Sequence, residues 1–501
     1  MSDELPEGWA VRPLSEIFLL NPPKPPVDLV PPSTPVSFVP MPAVDSALGT
    51  IQGATDRPFS EVRKGYTAFA DDDVILAKIT PCFENGKAAV ARGLTNGMGF
   101  GSSEFFVLRS GGTVIPQYLF HFVRQQKFRD EGAALMNGAV GQARVPADFL
   151  RSVELPVSPL SEQHRIVEKV EALLEQVNRA KGRLDRVPLI LKRFRQAMLA
   201  AACSGELTRE WRERHPVLQP ARNLLVAISA RRTALKLPTA SRLISDEGIE
   251  IPESELPDSW QWCRVGQIAD VRLGGTPARK ESSYWNGSIP WVSSGEVANC
   301  RISCTTERIT KKGLESSNAK VYPAGSVLIA MIGEGKTRGQ SAILDIDACT
   351  NQNVAGLVFD AGLVNPEYVW YWALQEYTKN RAEGRGGNQA ALNGAKVRAL
   401  PLPLPPLNEQ AEIVRVLKNM LRLASAIDAR VKAAAARANK LPQAILSKAF
   451  SGELVPTEAE LARLEGRTYE TAEELLKRVT ALGSDAASAG KGRGRRARKA
   501  E

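Results

Sequence analysis

The chain repeats itself at a fixed displacement of 247 residues, and that limits the folds open to it. Leu-Ser-Glu-Gln at 160–163 returns as Leu-Asn-Glu-Gln at 407–410, and Ser-Gly-Glu-Leu at 204–207 returns at 451–454. Both motifs shift equally, so the stretch between them has kept its length. A period this long excludes a solenoid of short repeats and indicates a duplicated domain.

Within each copy the apolar residues alternate four and three apart. The first series is Ile166, Val170, Leu173, Val177, Ala180, Leu184, Val187, Leu191, Phe194 and Met198. The second is Ile413, Leu417, Met420, Ala424, Ile427, Val431, Ala434, Ala438, Leu441 and Ile445. That spacing predicts a coiled-coil seam on two helices of equal length, paired antiparallel within one chain. Ser161 and Asn408 are read as N-caps, and Gly205 and Gly452 as the left-handed residues that end each helix. Pro188 lacks an N–H, so the first helix is expected to kink there.

The repeat extends beyond the helices. Leu-Pro-Glu-Gly-Trp at 5–9 matches Leu-Pro-Asp-Ser-Trp at 256–260. The apolar run 74–79 matches 327–332, each read as the first strand of a hairpin returning through 88–90 or 341–343. Pro-Gln-Tyr at 116–118 matches Pro-Glu-Tyr at 366–368 and opens a short helix, expected over 118–129 and 368–381. The order is therefore α+β. A first globular domain spans 1–155, a first long-helix region 156–236 and a linker 237–255. A second globular domain spans 256–402, a second long-helix region 403–485 and a basic tail 486–501. Between matched anchors the globular domains differ far more than the helices do. A shared framework with divergent loops is how related modules come to read different things.

Charge alone says little about partners. The net charge is +10, but the last sixteen residues carry +5 of it while residues 1–155 sum to −3. No apolar run approaches the roughly 20 residues that cross a bilayer, and the acidic, polar start is unlike a secretory signal. Six cysteines without a Cys-x-x-Cys pair, and three histidines, fit a reducing cytoplasm better than a zinc site or a disulfide framework.

Catalytic patterns fail on inspection. Asn-Pro-Pro-Lys at 21–24 lacks the aromatic residue with which an amino-methyltransferase stacks a flipped base. Gly-Glu-Gly-Lys-Thr at 333–337 resembles the end of a P-loop, but Ala330 stands where the first glycine belongs. His121, His164 and His215 fall in or beside predicted helices and are read as structural. No catalytic or metal-ligating set is assigned, and the chain is expected to bind no cofactor.

Binding is left, through polar and basic residues on glycine-rich loops. In the first domain these are Arg63, Lys64, Lys87, Arg92, Asn137, Gln142 and Arg144. In the second they are Arg279, Lys280, Lys336, Thr337, Arg338, Arg385, Asn388 and Gln389. Arginine suits phosphates and guanine edges, while asparagine and glutamine suit adenine edges. The neighbouring glycines are read as permitting close backbone approach to a ligand. Tyr284, Trp285 and Trp291 are read as core rather than as platforms for stacking bases.

Three motifs together resemble the specificity subunits of type I restriction–modification systems. They are Leu-Pro-x-x-Pro-Leu-x-Glu-Gln at 155–163 and 402–410, the two Ser-Gly-Glu-Leu closures, and Gly-Gly-Thr-Pro…Tyr-Trp…Ile-Pro-Trp at 274–291. The resemblance covers nearly the whole chain except the basic tail. It implies two target-recognition domains that each read one half of a split, asymmetric site in double-stranded DNA. It implies long helices that pair antiparallel as a spacer and bind two methyltransferase (modification) subunits. Restriction subunits with an ATP-driven motor join them, and S-adenosylmethionine, ATP and Mg²⁺ reside on those partners. No membrane is involved and the expected location is cytoplasmic. A coiled-coil scaffold that binds protein without reading DNA is the competing reading.

Overall fold

The computed structural model describes residues 5–139, 141–216, 218–234, 249–333, 337–360, 362–382 and 392–481. The expected basic tail and most of the expected linker lie outside them. Two compact units emerge, one of Met1–Asp185 with Ala433–Glu501, the other of Arg186–Lys432. The first unit therefore draws on two stretches far apart in sequence, and the second on one.

In the first unit two four-stranded sheets carry the module. One orders Phe18–Leu20, Phe105–Ser110, Val74–Ala77 and Ala88–Val90; the other orders Thr55–Pro58, Pro35–Val39, Met98–Gly101 and Thr67–Ala70. The expected hairpin is present, with Val74 opposite Val90 and Leu76 opposite Ala88. All four residues of Val74–Ala77 are buried, as a strand covered on both faces requires. The short helix expected over 118–129 is instead two, Pro116–Val123 and Gln126–Ala134, separated at Arg124 and Gln125.

The second unit repeats the plan with different strand lengths. Its five-stranded sheet orders Ala269–Leu273, Val354–Phe359, Val327–Ala330, Ser341–Leu344 and Cys300–Ile302; a three-stranded sheet orders Glu307–Ile309, Trp285–Val292 and Cys349–Thr350. Its hairpin pairs Val327 with Ile343. The helix after it, Pro366–Ala382, is unbroken.

The same residues tie each module to the long helices. Ala10–Pro13 pairs antiparallel with Glu154–Val157, and Gln261–Arg264 with Pro401–Leu404. Trp9 Nε1 donates to Glu162 Oε1 at 3.0 Å, and Trp260 Nε1 to Glu409 Oε2 at 2.9 Å. Gln163 accepts from Ile115 N at 3.0 Å, as Gln410 does from Asn365 N at 2.9 Å. Tyr118 donates its hydroxyl to Pro156 O at 2.8 Å, and Tyr368 to Pro403 O at 2.5 Å. The recurring Trp entry segment, Leu-Pro strand, Pro-x-Tyr helix and Glu-Gln opening thus meet in one clamp, present once per unit.

The long helices depart from expectation in three ways. The first is two helices, Leu160–Leu184 and Val187–Ser204, so the interruption precedes Pro188 rather than falling on it. A proline ring clashes with the carbonyl four residues back, here that of Leu184, where the first helix stops. Pro188 then sits in the first turn of the next helix, where a missing N–H costs little. The second long helix, Leu407–Phe450, runs on through Pro442. Ser161 and Asn408 lie inside their helices, which already begin at Leu160 and Leu407, and Pro159 holds the first cap position. Gly205 and Gly452 do end them, at φ of 82° and 78°.

The expected seam is buried only in part: Met420, Ile427 and Leu441 of the second series are exposed. Val170, Val177 and Leu191 are buried on the first pair of helices, and Leu417, Ala424 and Ala438 on the second. Within the first unit one core holds Ile166 and Val170 with Leu446, Ala449 and Phe450, so the start of one helix meets the end of the other. Within the second unit Leu199 and Ala202 share a core with Ile413 and Leu417, again start against end. Full burial of each such aliphatic residue contributes about 1.5–3 kcal/mol.

Candidate nucleic-acid interface

The loop around residue 140 in the first unit gathers three of the expected residues. Asn137 N donates to Arg144 O at 3.0 Å and Arg144 N returns the bond at 2.9 Å. Val145 N donates to Lys78 O at 2.9 Å, fixing this loop to the end of the hairpin's first strand. Asn137, Gln142 and Arg144 are all exposed. The Arg144 guanidinium grips Glu104 through two bonds of 2.9 Å and holds that carboxyl below its ordinary range. An exposed pair of this kind contributes only about 0.2–1 kcal/mol, so a phosphate can replace the carboxylate at small cost.

The other four expected residues of this unit lie elsewhere. Arg63 and Lys64 follow the turn of helix Phe59–Val62 beside the second sheet, and Arg63 O accepts from Lys24 Nζ at 3.0 Å. Lys87 is half-buried and donates to Met41 O at 3.0 Å, a tie between the hairpin and the Met41 turn. Arg92 stands 3.8 Å from Asp72 and lines a cleft with Glu171, on a wall shared with the long helix.

In the second unit Arg279 is the best-defined cation. Its guanidinium lies 4.0 Å over the Trp285 ring and 4.9 Å from that of Trp291, and it pairs with Glu307, Nη2 to Oε2 at 3.0 Å. Stacking of this kind is worth about 0.5–1 kcal/mol at an exposed site and fixes the plane of the fork. Lys280 beside it is exposed. Trp291 is core, 1 % exposed, and donates to Gly275 O at 3.0 Å; Trp285 donates to Ala278 O at 3.2 Å. The indoles therefore orient the arginine and hold the loop.

Thr337 and Arg338 occupy the turn of the second hairpin, where Gln340 N donates to Thr337 O at 3.0 Å. Lys336, Arg385, Asn388 and Gln389 lie outside the described residues.

The Gly-Gly-Thr-Pro loop corrects the expectation that its glycines admit a ligand. A Cβ on Gly274 would fall 2.1 Å from Thr350 Oγ1, and one on Gly275 2.4 Å from Ala319 N. The space is filled by the chain's own backbone, so these glycines serve close packing. Sequence reasoning also passed over Arg308, Lys311 and Lys312. Arg308 is an exposed neighbour of Glu307 on the same strand, and the two lysines open the helix that follows it. The consecutive lysines after Thr310 were the available signal.

Among the described residues no group of three or more His, Cys, Asp or Glu side chains is placed to hold a metal ion. Among them also, no helix is long and apolar enough to cross a membrane.

Two α+β modules on one repeated clamp, with unlike basic loops at their surfaces, define a tandem two-module protein. Comparison with known proteins narrows that class. The chain is similar to the specificity subunits of type I restriction–modification systems. Residues 257–435 match the family model for the type I restriction modification DNA specificity domain. The EcoEI specificity subunit of Escherichia coli is 25% identical over 86% of this chain and 80% of its own. The StySPI specificity subunit of Salmonella potsdam is 28% identical over 90% of both chains. In fold, the HsdS subunit from Thermoanaerobacter tengcongensis superposes with a TM-score of 0.61 at 23% identity, covering 90% of this chain and 98% of that one.

Proposed function

We propose that the chain reads a bipartite, asymmetric site in double-stranded DNA, one half with each module, and directs partner methyltransferase and restriction subunits to it. The observation that carries this reading is a clamp built on the same motifs in both units, with loops on each module that share almost nothing. Shared seating fixes how each module is presented, and unlike loops give each its own half-site. Arg279 with Lys280 in the second module, and Asn137, Gln142 and Arg144 in the first, are the residues through which contact is proposed. Thr337 and Arg338, on the hairpin turn of the second module, are proposed as a further contact.

The chain is non-catalytic in this reading. S-adenosylmethionine, ATP and Mg²⁺ act on the partners, in the cytoplasm. Two methyltransferase subunits, one per repeat, dock on the long helices. Exposed Leu189, Ile190, Met420, Leu423 and Ile427, all on the helices of the second unit, supply apolar surface for one of them.

The test is reconstitution. The purified chain, given S-adenosylmethionine and duplex DNA, should transfer no methyl label until a methyltransferase subunit is added. Affinity of the complex for DNA should then fall steeply with salt as counterions are released. Binding that ignores salt and sequence would instead favour a protein scaffold, and label transfer by the chain alone would overturn the division of labour.

A further inference from the structure

A cavity of about 320 Å³ lies wholly within the first unit, between helix Pro116–Val123, the Ser46–Leu48 turn and both long helices. Three of its walls carry nitrogen cations or an imidazole. Arg124 donates to Ser46 O at 3.0 Å and Ala47 O at 2.6 Å, and its guanidinium lies 5.1 Å over the Phe120 ring. Arg129 donates to Glu84 O at 2.9 Å and Gln126 Oε1 at 2.7 Å, but its buried Nε has no hydrogen-bond partner. His121 is 4 % exposed, and neither ring nitrogen makes a hydrogen bond. Both guanidiniums are thus hydrogen-bonded by carbonyl and amide oxygens, which leave their charge in place.

The carboxylates nearby stand at the mouth. Glu171 Oε1 is 3.8 Å from His121 Nε2, but its side chain is 58 % exposed. Glu175 is turned outward to Arg179 at 3.7 Å. Asp45 is spent on the amides of Ala47 and Leu48, each at 2.7 Å. Water screens exposed charges far more than buried ones, so the interior is electropositive. Phe120, Leu174, Leu446 and Pro442 supply apolar wall.

The repeat shows that the fold does not need His121, Arg124 or Glu171 at these places. Aligning Tyr118 with Tyr368 puts Tyr371 at the place of His121 and Leu374 at that of Arg124; the 247-residue shift puts Lys418 at that of Glu171. The second unit folds the same clamp with none of the three.

We propose that this cavity binds a phosphate oxyanion, held by Arg124, Arg129 and His121, with an attached apolar or aromatic body against Phe120 and Leu446. Its volume is at the lower end of small-molecule sites. A free nucleoside phosphate and a backbone phosphate of DNA share this chemistry, and the test separates them.

The full chain is titrated calorimetrically with inorganic phosphate, adenosine monophosphate and adenosine, and separately with duplex DNA over a salt series. Arg129→Gln and the double variant His121→Tyr with Arg124→Leu, which installs the residues of the second repeat, are compared with the parent. A nucleoside-phosphate site predicts that adenosine monophosphate binds, adenosine does not, and each variant weakens binding about tenfold or more. A DNA-phosphate site predicts that Arg129→Gln lowers the salt slope of duplex binding by about one. If neither phosphate probe binds at millimolar concentration and the slope is unchanged, the proposal is overturned. Equal binding by parent and both variants also overturns it.

Discussion

The indole N–H of Trp9 lies 3.0 Å from the carboxylate of Glu162, 153 residues further along the chain, and both are buried. Glu162 Oε2 accepts a second bond, from Glu458 N at 2.9 Å. One carboxylate on the first long helix thereby joins the entry of the module to the short helix Glu458–Glu465, which follows the second long helix. Its counterpart Glu409 accepts from Trp260, from Thr208 Oγ1 at 2.7 Å and from Arg212 Nη1 at 2.6 Å.

Removing either carboxylate strands buried donors, at about 1–3 kcal/mol for each. Glu162→Ala strands two; Glu409→Ala strands those of Trp260 and Thr208 and also deprives Arg212 of its counter-charge, although Arg212 Nη1 keeps Gly205 O at 2.9 Å. Hydrogen exchange should show the first variant loosening residues 5–185 and 433–481, and the second, more severely, residues 186–432. Equal loss of protection in both units from one substitution would contradict the independence of the two clamps.

Burial holds the His121 imidazole below its ordinary value of 6.5, against the opposing pull of Glu171. The folded state therefore binds fewer protons than the unfolded state in the window just below 6.5. Stability contributed by neutral His121 is present above that pH and is lost as pH falls through it. Urea midpoints of the first unit should drop on acidification from 7 to 5, and His121→Tyr should flatten the drop. A variant that titrates as steeply as the parent would place the effect elsewhere.

Gly205 and Gly452 hold left-handed backbone at the ends of their helices. A Cβ on Gly452 would meet Pro6 Cγ at 2.2 Å, and one on Gly205 would meet Pro257 Cγ at 2.5 Å. Alanine at either costs about 1–2 kcal/mol for the conformation, and the clash adds to it. Differential unfolding should find Gly452→Ala destabilising the first unit and Gly205→Ala the second.

At the proposed DNA face, Arg279→Ala should weaken binding of the assembled complex to the half-site read by the second module. A base contact predicts a loss of about 1–3 kcal/mol with relaxed preference at one position, and a phosphate contact predicts a uniform loss with a shallower salt slope. Glu307→Gln leaves Trp285 in place and frees the guanidinium, so it should strengthen binding. Affinity unmoved by both changes would remove this loop from the interface.

The periodic and repeated parts of the sequence were the legible ones. A heptad pattern encodes its burial locally, and the buried residues at 170, 177 and 191, with 417, 424 and 438, fall on it. Trp9, Glu162, Gln163 and Tyr118 stood out as motifs because both repeats keep them, but their partners lie 38 to 153 residues away and no local rule names those. The helix break was misplaced because a proline disrupts the turn before itself, not its own. Glycines at 274 and 275 were misread because a glycine that admits a ligand and one that admits the chain's own backbone look alike in sequence. The surroundings of His121 were invisible because five separated segments build them.

The first unit takes its core from residues up to 185 and from residues beyond 432, whereas the second lies entirely between them. Phe450 packs 4.8 Å from Tyr118, and Glu458 is held at 2.6 Å by Arg165 on one side and Arg467 on the other. A ribosome delivers these partners last. Domains fold as units during synthesis, so the order of completion is the reverse of the order of translation. The module translated second has all its partners once residue 432 emerges. The one translated first waits, with Val170 and Tyr118 uncovered, until the final helical segments arrive.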